Sequence, residues 1–536
     1  MKTLVSVYDY KNHSYAFEPV FDGETAFDRV CSWIKKLLDN DSCGKVGGVV
    51  VFTCQEHKES IVRAVDGFPV PVDVVVEDCE EVSAFLGLLA KKSEGFDSII
   101  HAESCCPFYD ADLTKEICCL HMDSAAEYTF AEGWPEGLAP CVVNPGTVSI
   151  LSSIGKRSGG KKVEKNVFFE AMKSDINSFE IETLMAPEDM RLYRLDFSCV
   201  TKEKQLVCVN LFNLIGGSSA KSKDFAASNL ASKAVFAPCV LRTVPAFYNV
   251  QVSSVCPGTC NFCPYPKEYK RCFGHDPCVA EQENPNCFMP LEKVEKLASA
   301  AADFSCEAVI SLSLWGEPLY HPDIAGCVAA VLRYEGLSVL LETDGMLVTS
   351  ELVDKISSLG KAAKPRTNGY PPVIWIVSLD SVDESGYKAM RGEGCSGSPI
   401  SFDKACKAFD LLNSAFPGAV YAQFLRTKLN EMQLEQFYRS RKDSGMIIQK
   451  YDDFAGLLPD YKVTDLSPVI RNPCWHQRRD MVVLVDGSVP VCREFMLAGN
   501  LGNVFDESLP SVWEKGKDMV FTDKCGKCDE YYTFNF

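Results

Sequence analysis

The segment VSSVCPGTCNFCP at residues 252–264 places three cysteines, Cys256, Cys260 and Cys263, in the spacing C-x-x-x-C-x-x-C. Three thiolates on one short loop can hold three irons of a [4Fe–4S] cube and leave the fourth iron open. An open iron is a site for chemistry, whereas a fully ligated cluster only transfers electrons. Phe262 precedes the last cysteine, where its ring can cover one side of a bound cofactor. A structural zinc site, or three unconnected cysteines, is the alternative interpretation of this segment.

The spacing of these cysteines, with the aromatic residue among them, resembles the signature of the radical S-adenosylmethionine (SAM) enzymes. The resemblance implies that Cys256, Cys260 and Cys263 hold a [4Fe–4S] cluster whose open iron chelates the amino and carboxylate groups of SAM. It also implies that the cluster reduces SAM to methionine and a 5′-deoxyadenosyl radical.

Six strand-like runs alternate with helical runs from about residue 246 onward. The predicted strands cover 247–252, 308–314, 338–343, 373–378, 420–425 and 446–450. This alternation predicts an open, partial (β/α)6 barrel, and parallel barrels place their chemistry at the carboxyl ends of the strands. The first strand delivers the cysteine loop at that end. The radical SAM core is such a barrel, so the periodicity and the cysteine motif agree independently.

Short motifs follow the predicted strands. After the second strand, Trp315-Gly316-Glu317-Pro318 resembles the G-G-E-P segment of the family, which implies that Gly316 and Glu317 bind the SAM amino group. Trp315 replaces the first glycine of that segment. Thr343 follows the third strand in a T-D-G sequence, where relatives often have T-N-G, and the resemblance implies that it contributes to cofactor binding.

After the fourth strand, an S-L-D sequence and a later R-G pair complete the set. The resemblance implies that Ser378 and Arg391 meet the SAM carboxylate or ribose, Arg391 through its planar fork of donors. Each short motif alone is typical of a turn. Together, in order and at the right strand ends, they favour a SAM site.

A second set of cysteines lies near the carboxyl terminus, at Cys474, Cys492, Cys525 and Cys528. Four thiolates supply the ligands of a closed [4Fe–4S] cube. A four-cysteine zinc site is the alternative from chemistry alone. Between Cys474 and Cys492 the sequence predicts a short hairpin over residues 481–492, because Asp-Gly is a hairpin turn signal.

This carboxyl-terminal segment resembles the SPASM domain of radical SAM enzymes that modify peptides. Cys474, Gly487 and Cys492 match its opening pattern. Full SPASM domains continue with further cysteines and carry two auxiliary clusters, and this sequence stops before them, so we expect one auxiliary [4Fe–4S] cluster. Arg493, followed by Glu494, stands where sulfatase-maturing relatives have an aspartate that acts as a base.

Three further cysteines lie between the cysteine loop and the first barrel helix. Cys272, Cys278 and Cys287, with His275, either ligate an extra metal or belong to a covering loop.

Residues 1–200 alternate strands and helices in a pattern that predicts an α/β domain with a mixed, mainly parallel sheet. The segments 105–110 and 128–138 resemble parts of the nucleotidyltransferase-like (glycosyltransferase-A type) domain. Nucleotidyl transfer needs a glycine-rich loop after the first strand and carboxylates for magnesium. The loop is absent here, and Cys105 replaces the metal aspartate after Glu103. We therefore expect a degenerate domain that binds a substrate or partner rather than an active nucleotidyltransferase.

The expected organisation has four parts: the degenerate domain at 1–200, a connector at 201–244, the barrel at 245–460 and the SPASM-like domain at 461–536. In this connector, residues 216–222 are flexible in composition. This order of domains resembles the family called spiro-SPASM proteins.

The composition bounds the cellular setting. The 536 residues carry a formal net charge of −19 without a basic block, which disfavours nucleic acid and anionic membranes as partners. No run of about 18 apolar residues and no signal-peptide core occur, so we expect a cytoplasmic protein without a membrane span. The 26 cysteines in so large a chain favour reduced thiols and metal clusters over disulfides.

The sequence therefore predicts a radical SAM enzyme that draws electrons from a donor such as flavodoxin or ferredoxin. The SPASM resemblance favours a peptide or protein substrate. A sugar or nucleotide-linked substrate is the alternative that the first domain suggests. A non-catalytic iron–sulfur electron-transfer scaffold is the alternative outside enzymology, and only Trp315 favours it.

Overall fold

The computed structural model divides into two compact units, Met1–Leu241 and Arg242–Phe536, called here the first and the second unit. The residues that it describes are 2–9, 14–39, 44–77, 80–155, 162–265, 267–268, 285–394, 400–464, 474–494, 499–517, 525–528 and 530.

The first unit is built on a seven-stranded mixed sheet with the spatial order β3-β2-β1-β4-β6-β5-β7. Its strands are β1 (Lys2–Tyr8), β2 (Lys45–Phe52), β3 (Val72–Val75), β4 (Ser98–Glu103), β5 (Tyr128–Glu132), β6 (Cys141–Val143) and β7 (Ile181–Met185). Strands β3, β2, β1 and β4 are parallel, and β6 runs antiparallel to both β4 and β5. The predicted mixed α/β sheet is therefore confirmed.

Eight α-helices accompany this sheet within the described residues. They are α1 (Ala26–Leu38), α2 (Lys58–Ala64), α3 (Val82–Lys92), α4 (Ala111–Asp123), α5 (Pro145–Gly155), α6 (Val167–Met172), α7 (Lys202–Leu214) and α8 (Ala227–Phe236). Helix α1 shows why such segments fold locally. Thr25 Oγ1 accepts a hydrogen bond from the Asp28 amide at 3.0 Å, and the Asp28 carboxylate accepts one from the Thr25 amide at 2.9 Å. This reciprocal capping satisfies two amides at the helix start.

The segment that we expected to be a connector is largely helical. Buried residues of α7 and α8, such as Leu211 and Leu230, join the hydrophobic core of the first unit. The glycine-rich stretch between these helices is also tied down, because Ser218 donates hydrogen bonds from its amide and its hydroxyl to the Asp22 carboxylate, at 3.0 and 2.8 Å. Composition alone predicted a flexible segment there, because composition does not indicate the long-range contact with Asp22.

The second unit contains a seven-stranded parallel sheet with the order β13-β12-β11-β10-β9-β8-β14. The first six strands in the chain are β8 (Phe247–Val250), β9 (Ala308–Ser311), β10 (Leu337–Thr343), β11 (Val373–Ser378), β12 (Val420–Arg426) and β13 (Met446–Lys450). They follow one another in both sequence and space, which confirms the predicted partial barrel; helices follow each of the first five strands, whereas residues 451–464 after β13 contain no helix. Strands β8 and β9 end two and three residues earlier than predicted.

The seventh strand, β14 (Asp480–Val483), comes from the carboxyl-terminal segment and pairs in parallel with β8. The predicted hairpin over 481–492 forms only at its turn. There the Gly487 amide donates to the Leu484 carbonyl, and the Leu484 amide also donates to the Ser488 carbonyl, both at 2.9 Å. However, the apolar residues Met481 and Val483 are buried in the barrel core, whereas β15 (Ser488–Pro490) pairs antiparallel with β16 (Asn500–Asn503).

The helices of the second unit, within the described residues, cover the barrel sheet and the carboxyl-terminal segment. They are α9 (Leu291–Ser305), α10 (Ile324–Leu332), α11 (Ser350–Ala362), α12 (Glu384–Arg391), α13 (Phe402–Ala415), α14 (Leu434–Arg441), α15 (Trp475–Arg479) and α16 (Leu509–Glu514). Among the described residues of the whole chain, no helix combines the length and the apolar character that a membrane crossing requires.

Candidate active site at the carboxyl edge of the barrel

The cysteine loop leaves the barrel at the carboxyl end of β8, as predicted. A Cβ atom built on Gly258 would lie 3.5 Å from the Cys256 sulfur and 3.3 Å from the Cys260 sulfur, so both sulfurs converge on this glycine. Burial raises the pKa of all three thiols, that of Cys263 to about 12, and Cys256 interacts electrostatically with both other cysteines. Thiols in such a place become thiolates when a bound metal cation offsets their charge, so the donor set fits an iron–sulfur cluster.

Helix α12 fixes the outer side of this loop. Asn261 donates from its backbone amide to the Met390 carbonyl at 3.0 Å and from its side chain to the Ala389 carbonyl at 2.6 Å. Gly392, with φ of +72°, then ends the helix against Thr259, whose hydroxyl a Cβ atom on Gly392 would overlap. The cysteine loop and Arg391 are therefore held in one place by contacts that bracket Arg391 in the sequence.

The Trp315-Gly316-Glu317 bend lies against the inner side of the cysteine loop. The Glu317 amide donates to the Val255 carbonyl at 2.8 Å. Gly316 has a φ of +137°, and a Cβ atom there would overlap the Ser253 carbonyl oxygen, so only glycine fits. Trp315 occupies the position of the missing glycine with a φ of +35°, and its ring stacks on Tyr265, with centroids 6.3 Å apart.

The Glu317 carboxylate is 5% exposed and is positioned by the end of β10. It accepts hydrogen bonds from the Thr343 hydroxyl at 2.8 Å, the Asp344 amide at 3.0 Å and the Leu319 amide at 3.2 Å. Burial, and then repulsion from the Asp344 carboxylate, raises the pKa of Glu317 to about 8. A ligand ammonium beside this pair would stabilise the ionised form of Glu317. The residues present therefore fit the amino group of SAM.

Arg391 lies on the other side of the loop and pairs with Asp380, with Nη1 and Oδ2 3.4 Å apart. Its guanidinium carbon is 5.4 Å from the centre of the Phe262 ring, so the predicted cofactor residues Phe262 and Arg391 are neighbours. Ser378 is buried at the carboxyl end of β11, two residues before Asp380. Asp380 is the aspartate of the S-L-D sequence, and its role was not predicted, because an ion pair across 11 residues has no sequence signature.

Three of the four carboxyl-terminal cysteines are brought together in space. Cys474 interacts electrostatically with Cys525, and Cys528 with Cys474. Burial raises the pKa of Cys474 to about 12 and also raises the pKa of Cys528. The Cys528 amide donates to the Cys525 carbonyl at 3.3 Å, which closes the turn between them.

Cys492 is linked to this group through the next residue. Arg493 donates to the Glu530 carboxylate at 3.0 Å, and Glu530 lies two residues after Cys528, whose sulfur accepts a hydrogen bond from the Glu530 amide at 3.4 Å. Lys450, at the end of β13, donates to the same carboxylate at 2.9 Å. The three thiols that meet, with Cys492 next to Arg493, suit the ligand set of a four-cysteine cluster. Lys450 and Glu530 were not identified from the sequence, and Arg493 was named there only as the replacement of a base.

The possible extra ligands are only partly visible. Cys272, Cys278 and His275 lie outside the described residues. Cys287 is buried, and its backbone carbonyl accepts a hydrogen bond from the Ser254 amide at 2.9 Å, which ties it to the base of the cysteine loop.

Comparison with known families identifies the two halves of the second unit. The family description of the radical SAM superfamily matches residues 250–440. The chain therefore carries a radical SAM domain. The SPASM iron–sulfur cluster-binding domain matches residues 474–529, so the second unit also carries an auxiliary cluster domain. These domains imply that the cofactors are SAM, the radical SAM [4Fe–4S] cluster and auxiliary iron–sulfur clusters.

Individual relatives of this radical SAM protein were found as well. An uncharacterized protein of Treponema pallidum (strain Nichols) is 36% identical over 380 residues, which cover 69% of this chain and 98% of that protein. A second uncharacterized Treponema pallidum protein is 32% identical over 88 residues, which cover 15% of this chain and 40% of the relative.

Two kinds of solved structure are similar to parts of the chain. The structure of Streptococcus suis SuiB bound to precursor peptide SuiA is 15% identical, with a TM-score of 0.39, and the match covers 59% of this chain and 76% of that one. A cytidylyltransferase from Leptospira borgpetersenii is 16% identical, with a TM-score of 0.36, over 45% of this chain and 97% of that one. At these values nothing about activity follows from either similarity.

Proposed function

We propose that this protein cleaves SAM reductively and uses the resulting radical to abstract hydrogen from a peptide or protein. The observation that carries the proposal is the convergence of Cys260, Glu317 and Arg391 at the carboxyl edge of one parallel barrel. When bound there, a [4Fe–4S] cluster with an open iron supplies the electron that splits SAM.

The protein's own residues divide the work of holding the cofactor. Cys256, Cys260 and Cys263 supply three thiolates, and Gly258 keeps the space between two of them free of a side chain. Glu317, fixed by its three hydrogen bonds, receives the SAM ammonium. On the opposite side, Arg391 presents its fork of donors to the carboxylate or ribose.

Supporting groups complete this half of the site. Phe262 covers one side of the bound cofactor and packs in a small apolar cluster with Met390, Leu425 and Tyr451. Thr343 positions Glu317, and Ser378 adds a hydroxyl at the end of the neighbouring strand. Gly316 contributes backbone groups at a bend that no larger residue can adopt.

The carboxyl-terminal thiols complete the electron path in this proposal. Cys474, Cys492, Cys525 and Cys528 would hold one auxiliary [4Fe–4S] cluster, which would supply a route for an electron from the product radical or toward the SAM site. The external donor is a low-potential protein such as flavodoxin or ferredoxin, and the setting is the cytoplasm. The peptide or protein substrate is supported by the SPASM domain alone.

The test is an anaerobic assay of the reconstituted full chain with SAM and dithionite, with 5′-deoxyadenosine as the measured product. We expect product from the wild type and from Cys306→Ala, which removes a half-buried thiol elsewhere in the second unit. We expect none from Cys260→Ala. Absence of both product and SAM binding in fully clustered wild type would contradict the proposal and favour the electron-transfer scaffold.

The substrate class needs its own comparison. Peptide libraries and nucleotide-sugars are added separately, and we expect faster 5′-deoxyadenosine formation and a changed mass only with peptides. A response to nucleotide-sugars alone would overturn the peptide assignment and leave the radical chemistry intact.

A further inference from the structure

Side chains of the kinds that bind metal ions form a group in the first unit, and this group includes none of the cysteines discussed above. Tyr8, at the end of β1, pairs with Phe52 of β2 on one side and with Glu103 of β4 on the other. The residues that follow these three strand ends therefore leave the sheet at one edge. They include Asp9 and, after β2, Cys54.

This edge is where the direction of strand addition reverses. Strands β2 and β3 extend the sheet to one side of β1, whereas β4 lies on the other side. In open α/β sheets, ligands bind outside the carboxyl ends of strands at such a switch point. Ser104 crosses it, since its hydroxyl donates to Asp9 Oδ1 at 2.7 Å.

Asp9, Cys54 and His57 place one carboxylate oxygen, one thiol sulfur and one imidazole nitrogen within 4.8 Å of one another. Zinc bonds of about 2.0–2.3 Å put tetrahedral ligands about 3.3–3.8 Å apart, so only small shifts of these atoms are needed for them to surround an ion. A mixed set of carboxylate, thiolate and imidazole suits a zinc-class ion and does not suit magnesium or calcium, which prefer oxygen ligands.

The surrounding hydrogen bonds hold the first ligand in place. His57 Nδ1 lies 2.8 Å from Asp9 Oδ2, so Nδ1 is the imidazole nitrogen that faces the carboxylate. The outer contacts are those of Ser104 and Thr53, whose hydroxyls donate to Asp9 Oδ1 and Oδ2, each at 2.7 Å. Metal-binding carboxylates and imidazoles are oriented by such outer contacts, which also raise the affinity for the metal.

His57 has a polar atom that the fold leaves without a partner. The residue is 5% exposed, and its Nε2 is buried with no hydrogen-bond partner among the described residues. The Phe17 ring lies 4.5 Å from the imidazole, centre to centre, and shields it. Nε2 lies on the far side of the imidazole from Nδ1, the nitrogen that faces Asp9, so Nδ1 is the atom that would bind the ion and Nε2 would carry the remaining proton.

We propose that Asp9, Cys54 and His57 bind one zinc-class divalent ion, with a coordination position left for water or a small ligand. Cys54 is half-buried and gives the ion a route from solvent. A second ligand-type group, Glu103, Cys105 and Cys106, is wholly buried and has no such route.

The test measures zinc on the full chain with its iron–sulfur clusters in place. Wild type and variants are purified from zinc-supplemented cells, and zinc and iron per chain are measured by mass spectrometry. We expect about one zinc in the wild type. Cys54→Ser and His57→Gln should each lose most of this zinc, and their iron content should be unchanged.

Matched controls separate this site from the many other thiols and imidazoles. Cys119→Ser removes a half-buried thiol on α4, and His121→Gln alters a buried imidazole whose Nδ1 lies 2.9 Å from the Thr129 hydroxyl. Both should keep the wild-type zinc content. Zinc unchanged in Cys54→Ser and His57→Gln, or absent from the wild type, would overturn the proposal.

A second readout on the wild type alone covers the case in which a variant fails to fold. Zinc K-edge X-ray absorption is blind to iron and counts sulfur ligands. One sulfur with two or three nitrogen or oxygen ligands supports the site. A four-sulfur shell would place the ion on a cysteine cluster instead and contradict the proposal.

Discussion

Asp380 and Arg391 form a buried ion pair beside the cysteine loop, with Oδ2 and Nη1 3.4 Å apart and side chains 0% and 10% exposed. The Leu425 amide donates to Asp380 Oδ1 at 2.8 Å, so the carboxylate is fixed from the neighbouring strand β12. The guanidinium that we assign to SAM is therefore oriented and charge-balanced before any ligand binds. Preorganisation of this kind lowers the cost of ordering a side chain upon binding.

Removal of one member of this pair should be strongly destabilising. Arg391→Ala leaves the Asp380 carboxylate buried without its partner, which costs about 3–5 kcal/mol. The control is Lys407→Ala, which breaks an exposed pair with Asp403 at 2.6 Å and should cost less than about 1 kcal/mol. Denaturant unfolding of the reconstituted chain measures both. Equal effects of the two variants would show that burial of the Asp380 pair contributes nothing.

The Glu317–Asp344 pair should make the stability of the SAM-free chain pH-dependent. Burial and mutual repulsion raise the pKa of Glu317 to about 8, and burial also raises the pKa of Asp344. Carboxyl groups with raised pKa values stabilise the fold at low pH and lose that contribution as pH rises through the raised values. Asp344→Asn removes one charge and lets an amide donate to Glu317. We expect its melting temperature to exceed that of the wild type by about 2–4 °C at pH 8.5, and by less at pH 6.

The control for this prediction is Asp354→Asn, which removes an exposed carboxylate from α11. It should shift the melting temperature equally at both pH values. If Asp344→Asn raises the melting temperature by the same amount at both pH values, the carboxylates of Glu317 and Asp344 do not repel each other as proposed.

The barrel and the cysteine loop were predictable because their signals are local. Each strand of the barrel is a short apolar run, helices separate these strands in the chain, and the motif residues stand at or soon after strand ends. The place of Glu317 followed from that pattern. Its hydrogen-bond partners did not follow, since the Thr343 hydroxyl that donates to Glu317 comes from the end of another strand, and no sequence spacing connects the two residues.

The features that escaped prediction all depend on contacts between distant parts of the chain. Strand β14 joins β8 across more than 200 residues, although its own sequence favours a hairpin. Asp9 and His57 meet because β1 and β2 are neighbours in the sheet, and no spacing rule connects them. Periodicity reveals which face of an element is buried but leaves open which element covers it.

Gly392 should be required for cluster assembly as well as for backbone geometry. Its φ of +72° disfavours any other residue, and a Cβ atom would also overlap the Thr259 hydroxyl in the cysteine loop. Gly392→Ala should therefore displace the loop and reduce the iron that the chain retains by about half. Gly369→Ala is the matched control, because Gly369 has a φ of +79° with no atom within 4 Å of the new Cβ. It should lose about 1 kcal/mol of stability and no iron. Equal iron loss in both would mean that strain alone, rather than contact with Thr259, disturbs the cluster.

The auxiliary site should be separable from the SAM-cleaving site. Cys528→Ala leaves Cys474, Cys492 and Cys525 as an incomplete set, so iron should fall from about eight to about four per chain while SAM still binds. Cys406→Ala removes a half-buried thiol from α13 and should leave iron unchanged. Iron analysis and calorimetric SAM binding, both anaerobic, measure the outcome.

Two other outcomes would contradict this assignment. If Cys528→Ala loses zinc while iron stays at about four per chain, the site is the four-cysteine zinc alternative. Loss of SAM binding along with the iron would show that the four thiols support the barrel edge itself, since β14 and Arg493 connect the two regions through β8 and Glu530.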